Sequence, residues 1–296
     1  MRSGSSSMRV RNDPQPSASS SRSAIPTIFV SGAVAGVVSR TATAPLDRVK
    51  VLQQVGVGVQ GVRCLYREGG WLSLFRGNSA NALKSIPEVG IKFSAFDAVS
   101  RWQHRGSAAK PTVRERLASG ALAGAASCIA VYPLEVAKTR MAIQGEYMGV
   151  VDCIASIVRH EGLVALTHGL RASLLGIVPF CALDLAIYSA SKENIAKWQG
   201  RDEPTSVALF VCGAGSSAVA QLVTYPLAVI RTLLQASGMP GQPRYTSTID
   251  CAVQTMQRGG GVRALYRGLR PNMLKAVPSI AVSYVIFEKM KRLLGP

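Results

Sequence analysis

Acidic residues are scarce in this chain: sixteen stand against thirty-four lysines and arginines in 296 residues, a formal net charge of +18. Charge of either sign makes up only 17% of the sequence and mean hydropathy is +0.20, too little polarity for the surface of a soluble protein of this length. Aromatics are few, at 6%, and form no ladder of the kind by which RNA-binding sheets stack bases. With no recognition-helix pattern either, the excess of positive charge is not that of a nucleic-acid binder. Basic residues spread through loops and helix ends instead fit anionic lipid head groups, an anionic substrate, or both. Other absences narrow the chemistry. The three histidines (His104, His160, His168) are scattered, and six cysteines (Cys64, Cys128, Cys153, Cys181, Cys212, Cys251) show no C-x-x-C spacing and read as buried free thiols. No G-x-x-x-x-G-K-[ST] loop is present to hydrolyse a nucleotide, and no D-x-D-x-D-G loop to bind calcium. Neither an enzyme nor a resident metal or cofactor is expected, and calcium control through this sequence is not expected.

What is present is repetition. The segments APLDRVKVLQQ, YPLEVAKTRMA and YPLAVIRTLLQ each end an apolar, small-residue-rich stretch with a proline embedded in charge, at Pro45, Pro133 and Pro226. These prolines lie 88 and 93 residues apart, so the chain reads as three homologous units, 24–106, 107–200 and 201–296. Residues 1–23, Ser-rich with four arginines and one acid, form either an organelle targeting segment or a disordered polar tail.

Apolar stretches long enough to approach or cross a hydrocarbon layer of ~30 Å occur near 25–54, 79–101, 114–144, 171–192, 207–236 and 272–293. The fold expected is therefore an all-α membrane protein with six transmembrane helices in three two-helix repeats. Each span carries Gly, Ser, Pro or a charge, which survive in lipid only when facing other helices or water, so the helices should surround a polar path. Small residues four apart open each odd-numbered span, at Gly32 and Gly36, Gly120 and Gly124, and Gly213 and Ser217, and predict close helix packing. Each proline should kink its helix. Asp47 or Glu135 follows two residues after the proline and Lys50, Lys138 or Arg231 five after it; under threefold pseudosymmetry Asp47 should meet Lys138 and Glu135 should meet Arg231.

These residues resemble the signature of the mitochondrial carrier family, P-x-[DE]-x-x-[KR], and the resemblance runs over about residues 25–294. It implies a six-helix, threefold pseudosymmetric bundle with a short surface helix between the two membrane helices of each repeat. The family's second motif appears as EGG...FRG at Glu68–Gly77, EG...THG at Glu161–Gly169 and GG...YRG at Gly260–Gly268; the middle copy has Thr167 for its aromatic and the last lacks its acid. In the family this region binds cardiolipin through helix N-termini, so cardiolipin is the bound lipid implied here. The first segment between spans, VGVGVQGVRCLYREGG, is short for a surface helix.

The stretches RGNSANALKSIPEVGIKF, LLGIVPFCALDLAIY and RPNMLKAVPSIAVSYVIFEKMK resemble the ATP-Mg/phosphate carriers more than the ADP/ATP exchangers. By that resemblance the matrix gate comprises Asp47, Lys50, Glu135, Lys138 and Arg231. Ala228 stands where most carriers have the third acid, leaving Lys50 without a partner. Gln54 and Gln235, one turn on, would brace the salt-bridge layer, Ala142 being the missing third. The cytoplasmic gate, [FY]-[DE]-x-x-[KR], is implied at Asp97, Lys192, Glu288 and Lys291, with Ser100 and Ser189 in vacated slots and Arg101 beside the first. Substrate should bind between the gates. Lys84 and Lys275, in matching contexts NALKSIP and NMLKAVP, read as unpaired intramembrane cations and by resemblance meet phosphate oxygens, with Arg40 as a further cation. Gly176 and Ile177 would form a flat apolar recess for adenine. The function implied is exchange of adenine nucleotide, with Mg travelling as part of ATP, for phosphate or another adenine nucleotide, by a monomer in the mitochondrial inner membrane. Three alternatives stay open: a coenzyme A or adenosine bisphosphate carrier, a leak or non-transporting membrane protein, and a plastid-envelope location.

Overall fold

The computed structural model describes residues 18–58, 67, 69–103, 112–144, 147–199 and 205–294, all helix, turn or loop. Nine α-helices are found among the described residues: α1 (Ala18–Ala42), α2 (Ala44–Gln54), α3 (Asn78–Gln103), α4 (Val113–Ile143), α5 (Val150–Glu161), α6 (Leu170–Gln199), α7 (Ser206–Gln235), α8 (Thr248–Gly259) and α9 (Leu269–Leu294). Single 3-10 turns, Leu163–Thr167 and Gly261–Tyr266, precede α6 and α9.

The long helices fall where the hydropathy placed the spans, with one break. Around Thr43 the first span divides into α1 and α2, because Pro45 has no amide hydrogen to give the preceding turn. The Thr43 hydroxyl and amide both donate to the Ser39 carbonyl, at 2.9 and 3.1 Å, and so close the last turn of α1. The other two signature prolines lie inside continuous helices, Pro133 in α4 and Pro226 in α7. Helix α6 extends seven residues beyond its expected end, through the polar stretch ENIAKWQ. Among the described residues three segments, Ala118–Ile143, Leu163–Trp198 and Val207–Gln235, are apolar enough to cross a membrane by length and composition alone. Of the remaining long helices, α3 is diluted by Lys84, Glu88, Lys92, Asp97 and Arg101, and α9 by charges at both ends.

Pseudo-threefold order is visible in the packing. The even helix of each repeat lies against the odd helix of the next: α3 on α4, α6 on α7, and α9 on α1. At what is here termed the lower end, α2, α4 and α7 touch one another pairwise. Two apolar cores sit at this end. One gathers Tyr132, Val136, Met141, Cys153, Ile157 and Leu166 around α4 and α5; the other gathers Tyr225, Val229, Leu233, Cys251 and Leu265 around α7 and α8. Helices α5 and α8 are the surface helices of repeats 2 and 3, each amphipathic with a cysteine turned inward. In repeat 1 residues 69–73 are helical, while 59–66 and Glu68 lie outside the described residues. On the outside of the bundle Phe93, Ile129, Val178, Phe210, Val223 and Val277 are exposed, as a lipid-facing surface requires.

Close packing is carried by other glycines than those the four-residue spacing singled out. A Cβ added at Gly32, Gly36 or Gly120 would meet nothing within 4 Å. These three leave open space, whereas a Cβ at Gly124 or Gly213 would meet Ile177 at 3.5 Å or Tyr188 at 3.9 Å on the neighbouring helix, ordinary packing distances. The tight contacts are at Gly77, Gly169 and Gly268, which all have positive φ. An added Cβ there would lie 2.8, 2.9 and 2.8 Å from the carbonyl oxygens of Lys138, Arg231 and Lys50 respectively. Each of these glycines thus seats the start of an even helix on the gate cation of the following repeat, and only glycine satisfies both the conformation and the approach.

Candidate functional site: a cavity above a layer of ion pairs

The three converging helix ends bring the charged residues together. Asp47 lies 3.7 Å from Lys138 and Glu135 pairs with Arg231, joining α2 to α4 and α4 to α7. Among the described residues Lys50 forms no ion pair, as the alanine at 228 leads one to expect. Gln54 and Gln235 do not reach the salt bridges. Gln54 donates to the Tyr225 hydroxyl at 3.2 Å and accepts from the Thr232 hydroxyl at 2.9 Å. Gln235 accepts from Thr139 at 2.6 Å and donates to Tyr132 at 3.2 Å. Tyr132 and Tyr225 in turn donate to the carbonyls of His168 and Arg267. The expected brace across the ion pairs is therefore corrected to a brace from each glutamine to the odd helix of a neighbouring repeat, whose tyrosine before Pro133 or Pro226 carries it on to the carbonyl just ahead of an even helix. At the seam between repeats 1 and 2, where Ala142 replaces a glutamine, the buried Arg48 donates to the carbonyls of Ala142 (2.9 Å) and Ser73.

A second correction concerns the two lysines read as unpaired. Lys84 is buried and bonds Glu135, with Glu88 at 3.7 Å. Lys275 bonds Asp47. A cation in so confined a place needs a counter-charge, and the gate acids are within reach of the long side chains. Arg40 is paired as well, with Glu88 at 2.9 Å, and donates to Asn81 at 3.3 Å.

Above this layer lies a cavity of about 370 Å³, within the range of small-ligand sites. Gly176, Ile177 and Phe180 of α6 form one wall, while Arg231, Glu135, Glu88 and Lys92 supply charge. Gly120 and Gly124 line it from α4, which accounts for the open space beside Gly120. Lys84 meets the cavity through the two glutamates it bonds, whereas Arg40 and Lys275 do not line it. Arg40 borders a separate cleft between α1 and α9 with Ser39, Ser279, Ser283 and Tyr284.

At the upper end no ion pair joins two helices among the described residues. Asp97 bonds Arg101 and Glu288 bonds Arg292, each one turn along the same helix and largely exposed. Lys192 has no ion pair among the described residues, and the side chain of Lys291 lies outside them. Among the described residues, ion pairs between helices are thus found at the lower end and not at the upper.

The structure also engages polar residues that the sequence reading passed over, of which Glu88 lines the cavity. Glu88 lies four residues after Lys84 within an apolar span, and that spacing alone could have flagged it. Asp184, which accepts from the hydroxyls of Ser216 (2.7 Å) and Ser217 (2.9 Å), is a lone acid in an apolar stretch. Arg140 ties the end of α4 to α5 through Glu161, donating at 2.7 Å, and to the carbonyls of Gln235 and Ser237. Hydrogen bonding from Arg140 and its charge hold the Glu161 carboxyl below the usual carboxylate range, against the opposing effect of burial.

Comparison with known proteins agrees with this architecture. The family described as Mitochondrial carrier protein matches the chain three times, over residues 21–107, 109–198 and 202–296. Similar relatives include the calcium-binding mitochondrial carrier protein SCaMC-2 of Bos taurus, 42% identical over 283 residues. The mitochondrial adenyl nucleotide antiporter SLC25A25 of Mus musculus is likewise 42% identical over 283 residues, and SLC25A24 of Homo sapiens, named the same way, is 40% identical over 281. Each alignment covers 90% of this chain but 59%, 59% and 58% of the relative, so the chain spans about three fifths of their length. With three carrier repeats matched along almost all of its sequence, the chain belongs to the mitochondrial carrier family.

Proposed function

We propose that this protein exchanges adenine nucleotide, as ATP-Mg, for phosphate or another adenine nucleotide across the mitochondrial inner membrane by alternating access. The observation that carries this reading is the cavity itself. A flat apolar wall of Gly176, Ile177 and Phe180 stands beside Lys92 and Arg231, with Lys84 reaching its floor through Glu88 and Glu135. An adenine ring suits the wall and phosphate oxygens suit the cations. The relatives named adenyl nucleotide antiporters support the same substrate class. Lys275 and Arg40 would join the phosphate contacts as the bundle rearranges around the ligand. The state described here, closed below and open above, is one of the two that alternating access requires, with the lower gate facing the matrix. Anionic lipid, cardiolipin in this membrane, would sit at the N-termini of the even and surface helices, and the working unit is one chain.

The test is uptake of labelled ATP into liposomes holding the purified protein and preloaded with phosphate, ADP or coenzyme A, with and without Mg. Mg-stimulated exchange against phosphate or ADP is expected. Exchange against coenzyme A alone would replace this reading with that of a coenzyme A carrier, and no exchange would remove it. Lys84→Ala is expected to reduce uptake to background in a protein that keeps its helical content.

A further inference from the structure

Helix α7 forms one side of the cavity, and nearly all of its polar side chains are already bonded. Ser216 and Ser217 donate to Asp184, Thr224 to the Ala220 carbonyl and Tyr225 to the Arg267 carbonyl. Arg231 pairs with Glu135, and Thr232 and Gln235 belong to the braces described above. From Ser216 to Gln235, the polar side chain that makes no hydrogen bond or ion pair among the described residues is Gln221, which lines the cavity. An amide in the middle of an apolar span costs free energy unless it finds a partner, and such residues mark the path of a ligand.

The register of α6 against α7 fixes the level at which Gln221 stands. A Cβ at Gly176 would lie 3.8 Å from that of Leu227, Asp184 meets Ser217 at 2.9 Å, and Tyr188 lies against Gly213, so the two helices run antiparallel. In this register Gln221 stands level with Phe180 and Cys181, at the edge of the flat wall of Gly176, Ile177 and Phe180.

We propose that Gln221 reads the rim of an adenine ring held against that wall, and so sets which base the carrier accepts. The proposal rests on the adenine-nucleotide reading above. A ring lying flat on α6 turns its rim, not its face, towards α7. Adenine carries there an exocyclic amino group, N6, which donates, beside a ring nitrogen, N1 or N7, which accepts. A glutamine amide offers the matching pair: its carbonyl oxygen accepts from N6 and its nitrogen donates to the ring. Lys92 and Arg231 can hold the phosphates of any nucleotide, so they carry no information about the base.

The test pairs a change in the protein with a change in the ligand. Half-saturating concentrations for exchange in liposomes are measured for ATP and for purine riboside triphosphate, which lacks the N6 amino group, with the unmutated carrier and with Gln221→Met. Phosphate self-exchange in the same vesicles measures the amount of working carrier. Loss of the amino group should raise the half-saturating concentration about fivefold or more in the unmutated carrier. In Gln221→Met, whose side chain has similar size and no amide, the two ligands should behave alike. A preference for ATP that persists in Gln221→Met overturns the assignment, as does an unmutated carrier that takes up both ligands equally well. An unmutated carrier that takes up neither nucleotide removes the functional reading on which the assignment depends. Should Gln221→Met support no exchange of any kind, the same ratio measured with Gln221→Ala decides.

Discussion

At the lower end of the bundle Asp47 and Glu135 each bridge two cations from other helices, whereas at the upper end Asp97 and Glu288 bond only an arginine one turn along their own helix. Both ends are drawn from the same few residue types. The difference lies in where the partners come from: a carboxylate between helices binds repeats together, and one that folds back along its own helix binds nothing. Burial follows the same division, Asp47 and Glu135 being buried and Asp97 exposed. On the alternating-access reading proposed above, this asymmetry is that of a carrier with one gate shut, and substitutions at the two ends should separate it into parts.

The largest effect is expected at Glu135. Glu135→Ala leaves Lys84 and Arg231 facing each other in a confined space without their shared counter-charge. Losing one partner of a buried ion pair costs about 3–5 kcal/mol, which should appear as a large fall in the unfolding midpoint of the purified protein. A small change would show that water reaches this layer freely and that the lower end is not closed in the sense argued here.

Next come the glycines. Gly169→Ala forces a positive φ on a residue with a Cβ and pushes it against the Arg231 carbonyl and the Tyr132 hydroxyl. Strain and overpacking together should cost about 2–4 kcal/mol. Gly120→Ala, in the open part of the path, meets nothing and should raise stability slightly, by about 0.5–1 kcal/mol from helix propensity alone. Comparing the two unfolding midpoints distinguishes glycines that seat helices from glycines that leave room for a ligand.

What the sequence made legible follows from repetition. The gate acids and bases stand at one position seen three times, so their convergence could be reasoned from symmetry, and the pairs Asp47 with Lys138 and Glu135 with Arg231 are found. The cavity broke that symmetry and was harder to read. The residue after the even-helix proline is Glu88, Phe180 or Ser279 in the three repeats: an acid, an aromatic and a hydroxyl at one level. A position that differs in every repeat leaves no pattern to recognise, yet such positions give a threefold scaffold an asymmetric site. The pairing of Lys84 and Lys275 was missed for a related reason. Their partners lie on other repeats, and the span of a lysine side chain across a helix seam is not written in local sequence. The glutamine braces were placed on the right helices but given the wrong partners, because the tyrosines that receive them belong to neighbouring repeats.

A smaller effect concerns the tie from α4 to α5 at the lower surface. Arg140 keeps the Glu161 carboxyl charged below its ordinary range. A carboxyl whose folded pKa is lowered contributes stability that is fully present above its unfolded value, ~4.3, and is lost as pH falls through the folded one. Below about pH 5, and on down through the lowered folded pKa of Glu161, the unfolding midpoint of the unmutated protein should therefore drop more than that of Glu161→Gln, with the two curves converging in acid. Parallel curves would mean that Glu161 contributes nothing through its charge.

The smallest effect belongs to the upper end and completes the comparison. Asp97 and Arg101 have side chains 65% and 79% exposed, and a one-turn pair between such groups in water is worth ~0.3–0.5 kcal/mol at most. Asp97→Asn and Glu288→Gln should thus leave the unfolding midpoint of the empty carrier nearly unchanged. Their consequence should fall on the other state. When the upper end closes, the even helices must approach one another, and the acids then leave their own arginines for bases across a seam. Both variants should slow exchange at saturating ATP-Mg while stability in the absence of ligand stays level. Loss of stability without ligand would place Asp97 or Glu288 in contacts that the open upper end does not contain, and unchanged exchange would mean that closure there relies on other groups.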